Sequence, residues 1–87
     1  MKKYRVQDSD YGGPYKYFNT LKEAKTYVFN ASYRWCSTGG WDSLKDKDEP
    51  KWKTLSKQDK KESAECVTDH WTIEKFKSVS VWKDIRE

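Results

Sequence analysis

Alternation of apolar and polar residues predicts a β-hairpin at the start of the chain. Over residues 3–8, the apolar Tyr4 and Val6 alternate with polar side chains, as in a half-buried strand. A cluster of turn-forming residues follows at 10–14, and the aromatic residues at 15–18 resume the strand pattern. The first 18 residues are therefore predicted to form two strands joined by a long loop.

Residues 21–35 have the periodicity of an amphipathic helix. Thr20 and Glu23 have the spacing of a capping box, in which the hydroxyl and the carboxylate each satisfy a free backbone N–H at the helix start. Turn-forming residues at 37–40 end the helix. Its apolar stripe, at steps of three and four residues, consists of Leu21, Ala24, Val28, Ala31 and Trp35.

The middle of the chain, residues 41–55, is charged and irregular, and a proline interrupts any helix there. We expect a structured loop with one short helical turn at 41–46. Ser56 and Asp59 then repeat a weaker cap signal, and the composition of residues 57–67 favours a second helix that is short and largely exposed.

Residues 71–85 are rich in β-branched and aromatic side chains, which alternate in two registers. Ile73 belongs to one register, and Val79 and Val81 belong to the other. A bulge or a turn near residues 77–78 reconciles them, so two C-terminal strands are favoured.

The order of these elements predicts an α+β fold. The N-terminal hairpin and the C-terminal strands form a small antiparallel sheet, with one main amphipathic helix and one short helix on one face. The chain has 87 residues and no stretch that resembles a linker, so residues 1–87 are expected to form a single domain.

Aliphatic residues are scarce, which changes the expected core. Leu, Ile, Val and Phe make up 13 of 87 residues, whereas five Trp and six Tyr are present. Each large aromatic side chain buries about 150–250 Å². The core is therefore predicted to be aromatic.

Charge and hydropathy narrow the classes of partner. The net charge is +4, which is the net charge of residues 1–35 alone, and 15 of the 18 cationic side chains are Lys. No apolar run is long enough for a membrane span or a secretory signal, so we expect a cytoplasmic protein with no membrane partner.

Candidate catalytic and metal-binding residues are few. His70 is the only histidine, and Cys66, four residues before it, lacks any flanking signature of a catalytic pair. A metal site built from Cys36, Cys66, Asp69 and His70 would lack the closely spaced ligand pairs of structural zinc sites. We therefore expect no enzyme activity, no metal and no cofactor.

Two stretches combine aromatic and basic residues as binding sites do. Trp41 and Trp52 lie in the irregular region with Lys51 and Lys53 beside them, and loop-borne Trp is enriched at protein interfaces. An alternative reading is that both tryptophans pin this loop to the core.

The second stretch is the first hairpin, where cationic side chains would neutralise phosphates while aromatic rings stack on bases. Alternation of an inward and an outward strand face explains the same pattern. The candidate residues of this nucleic-acid site are Lys3, Arg5, Tyr15, Lys16 and Tyr17.

A short chain rich in Lys, Tyr and Trp and without a catalytic set resembles, in kind, the small accessory proteins that phages and mobile elements encode. That resemblance implies binding to a host machine, including nucleic-acid defence enzymes, and its inhibition. The leading hypothesis is a non-enzymatic protein that binds a protein partner through Trp41, Trp52, Lys51 and Lys53. A nucleic-acid binder that uses the basic hairpin is the alternative.

Overall fold

Strands from the two ends of the chain pair in one antiparallel sheet. In the computed structural model, which describes residues 2–10, 12–78 and 81–85, β1 (Tyr4–Asp8) and β2 (Gly12–Phe18) form the N-terminal hairpin. Strands β3 (Trp71–Ser78) and β4 (Val81–Asp84) complete the sheet in the order β2-β1-β3-β4. The predicted α+β fold, with its sheet built from the hairpin and the C-terminal strands, is confirmed.

Three helices follow the predicted positions closely. They are α1 (Leu21–Trp35), α2 (Trp41–Leu44) and α3 (Lys57–Cys66), with single 3-10 turns at Trp52–Thr54 and Val67–His70. Both predicted caps are present, because the Thr20 hydroxyl accepts a hydrogen bond from the Glu23 backbone N–H and the Ser56 hydroxyl accepts one from that of Asp59. The Glu23 carboxylate was predicted to accept from a backbone N–H, and the structure shows it accepting a hydrogen bond from the Thr20 hydroxyl.

The chain divides into two compact units. The first comprises Met1–Val28 and Asp69–Glu87 and contains the sheet, and the second comprises Phe29–Thr68. The chain passes from the first unit to the second within α1 and returns after Thr68. That residues 1–87 form a single domain stays a prediction.

The first unit has a small aliphatic centre. Val6 and Ile73 from the two central strands meet Ala24 and Val28 from α1, and all four side chains are buried. Alternation along β1 and β3 explains this, because Val6 and Ile73 are directly opposite each other and point to the same side of the sheet. Larger side chains surround them: Tyr4, Phe18, Leu21, Tyr27, Trp71 and Ile85.

The second unit has its own core. Cys36, Trp52, Ala64 and Val67 are buried in it, and Phe29, Tyr33, Trp41 and Leu55 pack around them. Aromatic side chains therefore stabilise both units, as their abundance predicts. In both units, however, most of them surround small buried residues. Neighbouring rings lie 5.3–6.3 Å apart between centroids.

The end of α1 differs from the predicted apolar stripe. Trp35 was expected to face the core, yet it is 39% exposed. Gly39, at φ 109°, breaks the helix in the segment Cys36–Gly40, where residues without a side chain let the backbone turn. The Trp35 ring then covers Gly40 so closely that a Cβ at that position would lie 2.3 Å from the ring. The indole therefore packs on backbone instead of entering the core.

Two strand boundaries also differ from the prediction. Residues 12–14 were expected to belong to the loop, but β2 begins at Gly12, and Pro14 is tolerated because β2 is an edge strand. β3 runs on to Ser78, and the irregular pairing with β4 after Phe76 corresponds to the bulge, one of the two predicted alternatives. The expectation for Val79 lies outside the described residues.

Replacing Val28 with Asp should unfold the first unit. Val28 is 2% exposed, so the substitution buries a carboxylate with no partner, and we expect a loss of more than about 3 kcal/mol in the free energy of unfolding. Urea titration followed by near-ultraviolet circular dichroism measures it. The control is Thr26→Asp, which places the same group on the exposed side of α1 and should cost less than about 0.5 kcal/mol. Equal stability of the two variants would contradict the core assignment.

Replacing Ser32 with Ala should stabilise the protein. The Ser32 side chain is buried, and its hydroxyl oxygen has no hydrogen-bond partner among the described residues. Removing an unsatisfied buried hydroxyl should raise the free energy of unfolding by about 1 kcal/mol, measured by thermal denaturation. Ser37→Ala is the matched control, because the Ser37 hydroxyl donates a hydrogen bond to the Tyr33 carbonyl. A Ser32→Ala variant less stable than the control would show that this hydroxyl is satisfied.

Candidate functional site

A cluster of aromatic and charged side chains lies on the side of the sheet opposite the first core. Arg5 neighbours Val6 in β1, so its side chain points to the other face, and the register places Tyr17 and Glu74 directly beside it. This cluster is termed the Arg5 face. It consists of Arg5, Tyr15, Tyr17, Glu74, Phe76 and Trp82.

Arg5 is the centre of the cluster. Its Nε donates a hydrogen bond of 2.7 Å to the Glu74 carboxylate, and both side chains are less than one fifth exposed. The Arg5 Cζ lies 3.8 Å from the centroid of the Tyr15 ring and 4.3 Å from that of Trp82, so the guanidinium makes cation–π contacts with both rings. Side chains from β2, β3 and β4 thus hold the Arg5 side chain in place.

The protonation of Arg5 is fixed by this environment. Desolvation by burial acts to lower its pKa, but the hydrogen bond and the negative charge of Glu74 outweigh desolvation, and the pKa is raised. Arg5 therefore stays a cation whose charge is balanced within the protein.

The aromatic rings also contact one another. Tyr15 and Tyr17 lie 6.4 Å apart between ring centroids, Tyr17 meets Trp82 edge to face at 5.9 Å, and Trp82 lies 5.3 Å from Phe76. Tyr17 is nevertheless 44% exposed. The Arg5 face therefore exposes aromatic surface to solvent. The side chains that provide this surface are already held in position by their contacts with one another.

Both cations and carboxylates lie on this side of the sheet. Glu74 is paired with Arg5, and Asp84 is directly opposite Glu74 in the register. Lys3 falls on the same side by alternation along the N-terminal strand, and its carbonyl accepts a hydrogen bond from the Phe76 backbone N–H. Among the described residues of this side, two cations thus accompany two carboxylates.

The structure divides the residues proposed from sequence for nucleic-acid binding. Arg5, Tyr15 and Tyr17 belong to the Arg5 face, whereas Lys16 is directly opposite Val6 in the register and points to the other side of the sheet. Phe76, Trp82 and Glu74 were missed by sequence reasoning. The sequence predicts that these three residues lie in strands. It does not predict which residues they contact, because those contacts depend on the register between strands.

The loop tryptophans belong to the second unit. Trp52 is 6% exposed and packs on Tyr33 at 5.3 Å and on Trp41 at 6.3 Å between ring centroids. Its backbone N–H donates a hydrogen bond to the Asp42 carboxylate, and the Trp41 indole N–H donates one to the Pro50 carbonyl. Both tryptophans therefore hold the irregular loop, as the alternative reading describes.

The flanking lysines of this loop, Lys51 and Lys53, are exposed. Because Trp52 is part of the core, its ring offers little surface to a partner in this fold. That Trp41, Trp52, Lys51 and Lys53 contact a protein partner stays a prediction.

The residues considered for catalysis are the two cysteines and His70, and their surroundings differ. Cys66 is an exposed free thiol, whereas Cys36 is a buried one, and burial raises the pKa of the Cys36 thiol, which keeps it protonated and weakly nucleophilic at neutral pH. His70 Nδ1 contacts the Asp10 carboxylate, and its backbone carbonyl accepts a hydrogen bond from the Ser9 N–H. Among the described residues no group of three or more His, Cys, Asp or Glu side chains is arranged to hold a metal ion.

Comparison with protein-family models, curated proteins and solved structures finds no match to this chain. Within the described part of the chain, no helix has both the length and the apolarity needed to cross a bilayer.

Proposed function

We propose that this protein is a non-enzymatic binding protein that engages a protein partner through the Arg5 face. The observation that carries the proposal is the partly exposed group of Tyr15, Tyr17 and Trp82 arranged around an internally neutralised Arg5. The proposed contact surface is therefore the Arg5 face and not the loop tryptophans, because one of these, Trp52, is buried.

The residue types on this face support a protein interface. Tyr, Trp and Arg are the residues enriched among the few that carry most of the binding energy at such interfaces. Because the rings of Tyr17 and Trp82 already support each other, little side-chain freedom would be lost on binding. Preorganised aromatic surface of this kind favours affinity.

The charge distribution favours a protein over a nucleic acid. Binding to phosphates needs several cations free to release counterions. On this face Arg5 is already paired with Glu74, Asp84 adds a second carboxylate, and Lys16 points to the other side of the sheet.

One observation supports nucleic-acid binding as a second candidate function. Aromatic side chains on the surface of a four-stranded sheet, as Tyr15 and Tyr17 are here, are a known platform for stacking unpaired bases. The two candidates differ in how strongly affinity depends on salt, because only phosphate contacts release many counterions.

The proposed setting is the cytoplasm, where free thiols such as those of Cys36 and Cys66 are the ordinary state. Inhibition of a host machine, including a nucleic-acid defence enzyme, is the form of activity that the resemblance to phage accessory proteins implies. Such inhibition would follow from covering a functional surface of the partner and needs no chemistry from this chain.

Replacing Tyr17 with Ala should weaken partner binding by about 30-fold, which corresponds to about 2 kcal/mol for an interface anchor. Because Tyr17 is 44% exposed, the variant should keep its native circular dichroism spectrum. Proteins retained by the immobilised chain from its native host are identified and purified, and their affinities are then measured by isothermal titration calorimetry.

Leu44→Ala is the matched control, since it truncates a 55% exposed apolar side chain in the second unit and should leave affinity unchanged. Equal binding by the Tyr17 variant and the wild type would contradict the proposal. Submicromolar binding to single-stranded DNA or RNA at physiological salt, with a steep salt dependence that Lys3→Gln reduces, would favour the second candidate.

A further inference from the structure

Strands β3 and β4 sort their charged side chains by face. Glu74 is directly opposite Asp84, and one position further along, Lys75 is directly opposite Lys83. Since successive residues of a strand point to opposite faces, both carboxylates lie on the side of the Arg5 face and both lysines lie on the other side. Lys75 and Lys83 are termed the lysine pair.

No carboxylate shares the row of the lysine pair. The register aligns Phe18, Tyr4, Lys75 and Lys83 across all four strands. Tyr4 and Phe18 pack on the first core, whereas both lysines are exposed, and neither has an ion pair with another described residue. Two positive charges therefore face solvent side by side.

This arrangement costs stability in the isolated protein. Like charges directly opposite each other on neighbouring strands are destabilising. The acidic pair is relieved because Arg5 contacts Glu74 at 2.7 Å, but the lysine pair has no such relief within the described residues. An external anionic group would provide it.

Lys83 lies on an edge strand with Lys75 beside it on the neighbouring strand, and this position indicates what kind of anionic group fits. β4 is an edge strand of the sheet, so one of its two sides has no neighbouring strand among the described residues, and a strand of a partner would pair on that side. An added strand would point alternate side chains to the two faces of the sheet. Carboxylates would be attracted on the side of Lys83, so a segment with acidic residues at every second position, all on the side of the lysine pair, matches this edge.

We infer that β4 and the lysine pair receive an extended acidic segment of the protein partner, paired as an additional strand with its carboxylates against Lys75 and Lys83. This inference rests on the proposed function, and it assigns the chemistry of the partner. The added strand would lie next to Trp82, so it is continuous with the Arg5 face.

The probe is a short capped peptide of alternating Glu and Thr, titrated against the whole protein at low and physiological salt. We expect binding that protects the backbone amides of β4 from hydrogen exchange, measured residue by residue by nuclear magnetic resonance. The double variant Lys75→Gln/Lys83→Gln should bind about tenfold more weakly, the order expected for the loss of two exposed ion pairs. The same peptide with Lys in place of Glu should not bind.

Lys57→Gln/Lys61→Gln is the matched control, because it removes the same charge from exposed positions of α3 and should bind the peptide as the wild type does. Equal weakening in both double variants would overturn the inference, since only net charge would then matter. Absence of peptide binding, with self-association of the Lys75→Gln/Lys83→Gln variant, would also overturn it and would show that the lysines only protect an edge strand.

Tighter lysine-dependent binding of a single-stranded oligonucleotide than of the peptide would overturn the acidic segment as the occupant. The affinity of the Tyr17→Ala variant for the whole partner is measured separately from peptide binding, so the proposed function and this inference can fail independently. Failure of the peptide with a retained effect of Tyr17 on partner binding overturns the inference alone.

Discussion

Pairing of β1 with β3 is the constraint on which the sheet and its binding face both depend. It joins residues near the two ends of the chain, with Arg5 opposite Glu74 and Val6 opposite Ile73. The two pairs are adjacent, so one contributes to the core and the next forms the ion pair on the opposite face. A shift of β3 by one residue would turn Ile73 away from the core and Glu74 towards it, which makes the register strongly specified.

Scarcity of aliphatic residues explains why aromatic rings have so many roles here. Small side chains such as Ala24 and Val28 occupy the centre of the first unit, and larger rings surround it. The same abundance of rings supplies the Arg5 face, where Tyr17 and Trp82 contact each other on the other side of the sheet. Stabilisation and proposed binding thus draw on one class of residue, used on two faces.

Sequence reasoning succeeded where the decisive interactions are local. The cap at Thr20, the helix that follows it and the order of the elements are set by residues three or four positions apart, and the structure agrees with them. Reasoning from sequence failed at Trp35, whose stripe position predicted burial, because the break at Gly39 changes the direction of the chain just beyond it.

The composition of the candidate site was harder to predict. Arg5 and Tyr15 stood out in the sequence as neighbours in one hairpin, but Glu74 and Trp82, which hold Arg5, are about 70 positions further along the chain. Alternation shows that a strand has two faces, yet it does not show which strands become neighbours or in what register. For the same reason Lys16 and Arg5 were grouped although they point to opposite faces.

A double-mutant cycle between Arg5 and Trp82 tests most directly whether Arg5 organises this face. The free energies of unfolding of Arg5→Ala, Trp82→Ala and the double variant are compared with that of the wild type. The contact of 4.3 Å between the guanidinium and the indole ring predicts a coupling of about 1 kcal/mol. Additive effects, within about 0.3 kcal/mol, would contradict the account, because Arg5 would then not hold the aromatic side chains of the face together.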